Sequence, residues 1–210
     1  MKEDDLAGAR KALEQSLEIR KASGEKVILA ETQMTLAELS IEEGRALSDA
    51  EAVLRQAIAT FEQENERDDE AKAWGILTQV LVAEHKFDEA KQGSEQALSR
   101  SKKSRTLEIR MQNEIVAARL QGLGGSIPPD LADRSIAKKR LASVLSKARE
   151  RGYVGIELEA RLAVGEIEMK AGPTPMAESH LGILERDAHD HGFGLIAQKA
   201  AAARASRKSD

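Results

Sequence analysis

Cysteine is absent from the chain, which excludes disulfide frameworks, thiol nucleophiles and thiolate metal sites. Aromatic residues make up only 2% of it, too few, with β-branched residues also scarce, to build an extensive sheet. The four prolines, Pro128, Pro129, Pro173 and Pro175, fall in two short stretches where loops are expected. No apolar run approaches the roughly 20 residues needed to span a bilayer. The opening segment MKEDDLAGAR lacks the apolar core of a secretory signal. Neither sign of charge dominates: 32 Lys and Arg stand against 36 Asp and Glu, for a net charge of -4. Charge alone therefore implies neither a nucleic acid nor a membrane partner. The expectation is a folded cytoplasmic protein.

What remains is a helix-forming mixture of Ala, Leu, Glu, Lys and Arg, with 41% hydrophobic and 32% charged residues. Within it one phrase recurs: a polar opening, an alanine, a large aliphatic residue four positions on, then a small and aliphatic pair. It reads LAGARKALEQSL from Leu6, SDAEAVLRQAI from Ser48, FDEAKQGSEQAL from Phe87, SIAKKRLASVL from Ser135 and, more weakly, PMAESHLGILE from Pro175. The anchoring alanines Ala9, Ala50, Ala90, Ala137 and Ala177 are spaced by roughly 40 residues, one gap being longer, as in helical-repeat proteins. A second amphipathic stretch precedes each phrase after the first; in one, Leu29, Leu36, Leu39 and Ile41 fall mostly on one side of a helix. Gly24, Gly44, Gly172 and Gly192 punctuate the helix ends.

Such a hairpin cannot bury its apolar face alone, whereas stacked neighbours can. The alanines let paired helices approach, and Leu13, Leu54, Leu141 and Leu181 fill the grooves between them. Ser94 replaces that leucine in one copy, which predicts a looser interface there. The glycine-rich turns break every heptad run, which argues against a coiled coil. The fold expected is all-α, an α-solenoid of antiparallel helix pairs with about nine to ten helices. It is read as a single domain over residues 1–210: a half-repeat 4–23, repeats 26–67, 68–103, 105–152 with a loop insertion 122–135, and 154–191, then a C-terminal cap helix 193–207.

The third unit, AKAWGILTQVLVAEHKFDEAKQGSEQAL, resembles a tetratricopeptide repeat through Trp74, Leu77, Phe87, Ala90, Ala97 and Leu98, with Ala71 and Ala73 flanking. Gly44 and Gly172 match that repeat's turn glycine, and Ala50 with Ala57 its paired alanines. The resemblance implies a right-handed superhelix whose first helices line a concave groove that accepts a peptide or partner protein. Units longer than the short form are similar to the arrays of large bacterial signalling or transcription regulators, linked there to kinase, ATPase or winged-helix modules. The ending GFGLIAQKAAAARAS resembles the close of such arrays. The first phrase lacks a preceding partner helix, as if the array began in mid-repeat; the expectation is that either an upstream segment was removed or the apolar edge is covered by another chain.

Few residues speak for chemistry. His189 and His191 are two apart and would point to different sides of a helix, where metal-binding pairs prefer three or four. They suit a helix C-terminus before Gly192 better. Gly122, Gly124 and Gly125 lack the Lys and Ser/Thr of a phosphate loop, and no nucleophile elbow or zinc-hydrolase motif is present. No catalytic residue, metal or cofactor is expected, and the chain is not read as an enzyme. Two basic stretches, Arg100 to Arg105 and Arg134 to Arg151, are offset by the acidic run from Glu62 to Glu70 and carry no interleaved aromatics. Solvated helix faces explain them better than nucleic acid.

Carried over from the family, the groove register places Glu38, Gln79 and Glu166 at equivalent inward positions, with Glu31, Lys72, Asn113 and Lys170 near them. They do not form the Lys/Asn/Arg set with which some tetratricopeptide domains clamp a C-terminal carboxylate. This mixed, slightly acidic groove suits a basic or amphipathic protein or peptide. Two alternatives stand beside it. One is a homodimer or scaffold joined through the N-terminal edge at Leu6, Leu13 and Leu17. The other is a small-ligand sensor built on the insertion.

Overall fold

A computed structural model describes residues 3–124 and 129–206. Gly125 and Pro128 of the expected insertion, and residue 207 of the expected cap helix, lie outside the described residues. The described chain is helical throughout, with no strand among the described residues. Its helices are α1 (Glu3–Ser23), α2 (Lys26–Glu43), α3 (Leu47–Glu64), α4 (Arg67–Ala83), α5 (Phe87–Ser101), α6 (Leu107–Leu123), α7 (Leu131–Arg151), α8 (Val154–Ala171), α9 (Pro175–Asp190) and α10 (Gly194–Ala205). They form two compact units, Met1–Val116 and Ala117–Asp210, whose boundary falls inside α6.

In the first unit, α1 packs on α2, α2 on α3, α3 on α4 and α4 on α5, and α2 also meets α4. The second unit repeats the scheme: α7 on α8, α8 on α9, α9 on α10, and α8 on α10. Sequential contacts plus one contact to the next-but-one helix are what stacking of antiparallel pairs produces.

The anchor residues occupy the interiors of these pairs. Ala50, Ala90, Ala137 and Ala177 are buried, as are Leu54, Leu141 and Leu181. Each such leucine contributes on the order of 1.5–3 kcal/mol by leaving water. Ala9 and Leu13, at the start of the chain, are only half-buried.

The interface at Ser94 is not loose, contrary to expectation. A Cβ on the neighbouring Gly93 would lie 2.9 Å from Thr78 Oγ1, so the missing side chain lets α5 approach α4 where the leucine is absent. Glycine does here what alanine plus leucine do elsewhere.

Several of the turns share one geometry, although Gly172 after α8 does not, at φ 141°. At Gly44 the backbone is left-handed, φ 64°, and Arg45 N–H donates to Ser40 O at 3.2 Å, closing the helix end. Asn65 and His85 adopt the same left-handed turn, with Glu66 N–H to Phe61 O and Lys86 N–H to Leu81 O both at 2.8 Å. Asn and His are both among the non-glycine residues that adopt this conformation more readily than most.

Helix takes up both ends of the predicted loop 122–135. α6 runs to Leu123, and α7 starts at Leu131, where the Asp130 carboxylate accepts from Asp133 N–H at 2.8 Å. That cap fixes an additional N-terminal turn on α7, which bears Leu131 and Arg134.

Candidate functional site

The first helix of each pair carries the expected groove residues. In the first unit these are α2 and α4. Glu31 and Glu38 lie seven residues apart on α2, two helical turns. Asp69, Lys72, Ile76 and Gln79 follow one stripe of α4 at spacings of three, four and three. Lys72 Nζ reaches Glu38 Oε1 at 3.5 Å, an ion pair with both side chains partly exposed. No hydrogen bond or ion pair is formed by the side chain of Glu31 or of Gln79 among the described residues.

The acidic first turn of α4 is not one uniform solvated run. Glu70 is buried and pairs with Arg100, whose guanidinium stacks 5.6 Å from the centre of the Trp74 ring. Asp68 accepts from Thr106 Oγ1 at 2.5 Å, and this bond with that from Ser104 holds its carboxyl below the ordinary range. Asp69 behaves oppositely. Burial pushes its pKa up, and the charges of Glu31 and Glu66 push it further, with Lys72 offsetting only part. Negative charge is therefore in excess around Asp69. The sequence reading left this residue out, although its place three residues before Lys72 on the stripe was available as a signal.

Asn113 stands apart from the groove. It is 3% exposed, and its Nδ2 donates to Ala71 O at 3.0 Å and Ala97 O at 3.4 Å. A Cβ on Gly75 would fall 2.1 Å from Asn113 Oδ1, so the amide fills the notch that this glycine leaves. A side chain so enclosed has no surface for a partner; its role is in packing.

In the second unit, Glu166 on α8 receives Arg119 Nε at 2.9 Å, and Lys170 is exposed one turn on. Glu166 is thus already neutralised by a neighbour. At the N-terminal edge, Leu6, Leu13 and Leu17 are half-buried, and Ile19 is 71% exposed. Arg10 ties α1 to α2 through Glu43 at 2.6 Å and Ser40 Oγ at 3.0 Å. Arg45 also grips Glu43, and the two guanidiniums lower the Glu43 pKa to about 2.

Among the described residues no cluster of three or more metal-ligating side chains occurs. His191 Nδ1 lies 2.8 Å from Asp187 O at the end of α9, a helix-terminus contact. The basic stretches are paired in part: Lys138 with Glu168 at 2.7 Å and Arg149 with Glu157 at 2.8 Å. No described helix is long and apolar enough to cross a membrane.

Comparison of the whole chain with solved structures yields two from a kinesin light chain-like protein of Podosopora anserina with nearly identical TPR-like repeats, one a single-substitution variant. The variant superposes with a TM-score of 0.56 at 16% identity, covering 90% of this chain and 89% of that one. The other gives 0.54 at 16% identity, covering 98% and 90%. The fold is that of TPR-like repeats. At this identity the likeness concerns fold alone. No family model matches the chain, and no curated protein matches it in sequence.

Proposed function

We propose that the protein is a non-catalytic interaction module that holds a basic or amphipathic segment of a partner on the α2–α4 face of its first unit. Glu31, Glu38, Lys72 and Gln79 form that surface, with Asp69 added and Asn113 removed; Glu166 and Lys170 are secondary candidates on the second unit. The observation that carries the reading is the placing of charge on this face: Glu31 and Asp69 lie there, while Lys72 is engaged by Glu38 at 3.5 Å. Burial and the three carboxylates Glu31, Glu66 and Asp68 raise the Asp69 pKa, so ionisation there works against stability. Lys72 offsets only part of that cost. A lysine or arginine from a partner would supply the missing countercharge.

The wider setting, a larger bacterial signalling or transcription regulator, belongs to the same proposal. It is supported by unit length and by the resemblance of the closing segment.

A fluorescent synthetic peptide, helical and carrying Lys and Leu on opposite faces, tests the groove. Asp69→Asn and Glu31→Gln together should weaken its binding about tenfold at low salt, and raised salt should do the same to the parent protein. Asp69→Asn alone should meanwhile raise stability at neutral pH. Affinity unmoved by the double variant would remove this face from consideration.

A further inference from the structure

The extra turn of α7 creates a second surface, on the second unit, with chemistry opposite to that of the α2–α4 face. Between the start of α7, the end of α8 and the start of α9 lies a depression of about 710 Å³. Its lining includes the buried Ile167 and Ala177 and the exposed Ala142. Two large apolar side chains stand at its rim almost bare to solvent, Leu131 at 83% and Met176 at 69% exposed. Large apolar residues left out on both sides of one concavity mark a contact surface more often than a solvated one. Methionine also adapts its shape to an incoming partner.

Three cations line the same depression: Arg134, Lys138 and Lys139. Lys138 is neutralised by Glu168, which also sits 3.3 Å from His180 Nδ1. Arg134 and Lys139 have no ion-pair partner among the described residues. The Nε–H of Arg134 is shielded from water and donates to no acceptor among the described residues, an unmet need in a half-buried guanidinium. The first turn of α9, capped by Thr174, adds its positive helix end to the same rim.

We propose that this depression docks an acidic amphipathic helix of a partner protein, apolar side chains seated between Leu131 and Met176 and carboxylates meeting Arg134 and Lys139. An open-sided concavity, with both cations and apolar side chains in its lining, matches a helix lying across it. This surface is separate from the α2–α4 face, and either proposal can fail while the other stands.

The test uses the full chain and a labelled synthetic helix of roughly 18 residues, with Leu along one face and Glu elsewhere. Two control peptides are a shuffled sequence of the same composition and a version with Lys for Glu. Saturable binding at a single site is expected, with both controls at least tenfold weaker. Arg134→Glu with Lys139→Glu should cost tenfold or more, and Leu131→Ser with Met176→Ser several-fold, all with the helical CD signal unchanged. These four positions are exposed or half-buried, and Glu95→Gln, exposed on α5, provides a variant that should bind like the parent. Binding unaffected by both double variants, or equal binding of the shuffled peptide, would overturn the proposal. So would one-to-one binding of dodecanoate at this site without any binding of the peptide, which would make it a pocket for small amphiphiles.

Discussion

The two units are built from the same helical hairpin and present different surfaces to solvent. In the first, charge decides: Glu43, Glu51, Asp68 and Asp69 all have displaced proton affinities, and among the described residues Ile19 is its one exposed large apolar side chain. In the second, Leu131, Ile136, Val154, Met176, Ile183 and Phe193 are exposed in part or almost wholly. Capping differs as well. Asp130 and Thr174 cap α7 and α9 through their side chains, whereas α2, α3, α4 and α5 begin without a side-chain cap, as do α8 and α10 of the second unit. Repeats share what faces inward because stacking constrains it. What faces outward is free to specialise, and the two units have done so in opposite directions.

The interiors should prove equivalent, which core truncation can break. Leu54→Ala in the first unit and Leu141→Ala in the second should each cost about 2–5 kcal/mol, since both side chains are fully enclosed. Hydrogen exchange would show the loss centred on the substituted unit. A cost under about 1 kcal/mol at either would mean that the interior there is not close-packed.

Gly75→Ala sharpens the comparison within the first unit. The added methyl displaces Asn113 from Ala71 O and Ala97 O, at an expected cost of about 1–3 kcal/mol despite alanine's better helix propensity. Combining it with Asn113→Ala should cost less than the sum of the two, as chemical denaturation of the four proteins would reveal.

Thr174→Ala should cost about 0.5–2 kcal/mol, because Ala177 N–H loses its 3.1 Å acceptor at the start of α9. Thermal melts followed by exchange in α9 check this. The same truncation has no counterpart at the uncapped starts of α2 to α5.

The smallest effect is the most diagnostic of the charge difference. Glu43 and Glu51 are held at about 2 in the folded state, Glu43 by Arg45 and Arg10 and Glu51 by Lys86 and Arg55. A depressed carboxylate stabilises fully above its unfolded value, near 4.5, and that contribution disappears as pH falls towards 2. Acid titration should therefore loosen the first unit, and Glu43→Gln should flatten the pH slope while lowering stability at pH 7. Asp69 has the opposite sign: its raised pKa makes ionisation costly, so Asp69→Asn stabilises above that pKa.

Much of the fold could be read from the residues. Alanine anchors, aliphatic partners and left-handed turn glycines identify helical hairpins because each has a steric reason to be where it is. Asn65 and His85 were harder, since neither announces a left-handed turn as glycine does. Asn113 was misplaced because its environment depends on Gly75, 38 residues earlier, leaving a notch that only three-dimensional packing reveals. Asp69 sits inside an acidic run whose members resemble one another in sequence and differ in burial and hydrogen bonding. The depression beside α7 was illegible for a related reason: Leu131 and Arg134 lay in what reads as loop, and a single aspartate cap turns that stretch into helix.

The most direct test of this division of surfaces is hydrogen-exchange mapping of one protein sample with each peptide in turn. The Lys-bearing helix should protect α2 and α4, and the Glu-bearing helix the start of α7 and of α9. Protection of the same segments by both peptides would contradict the account.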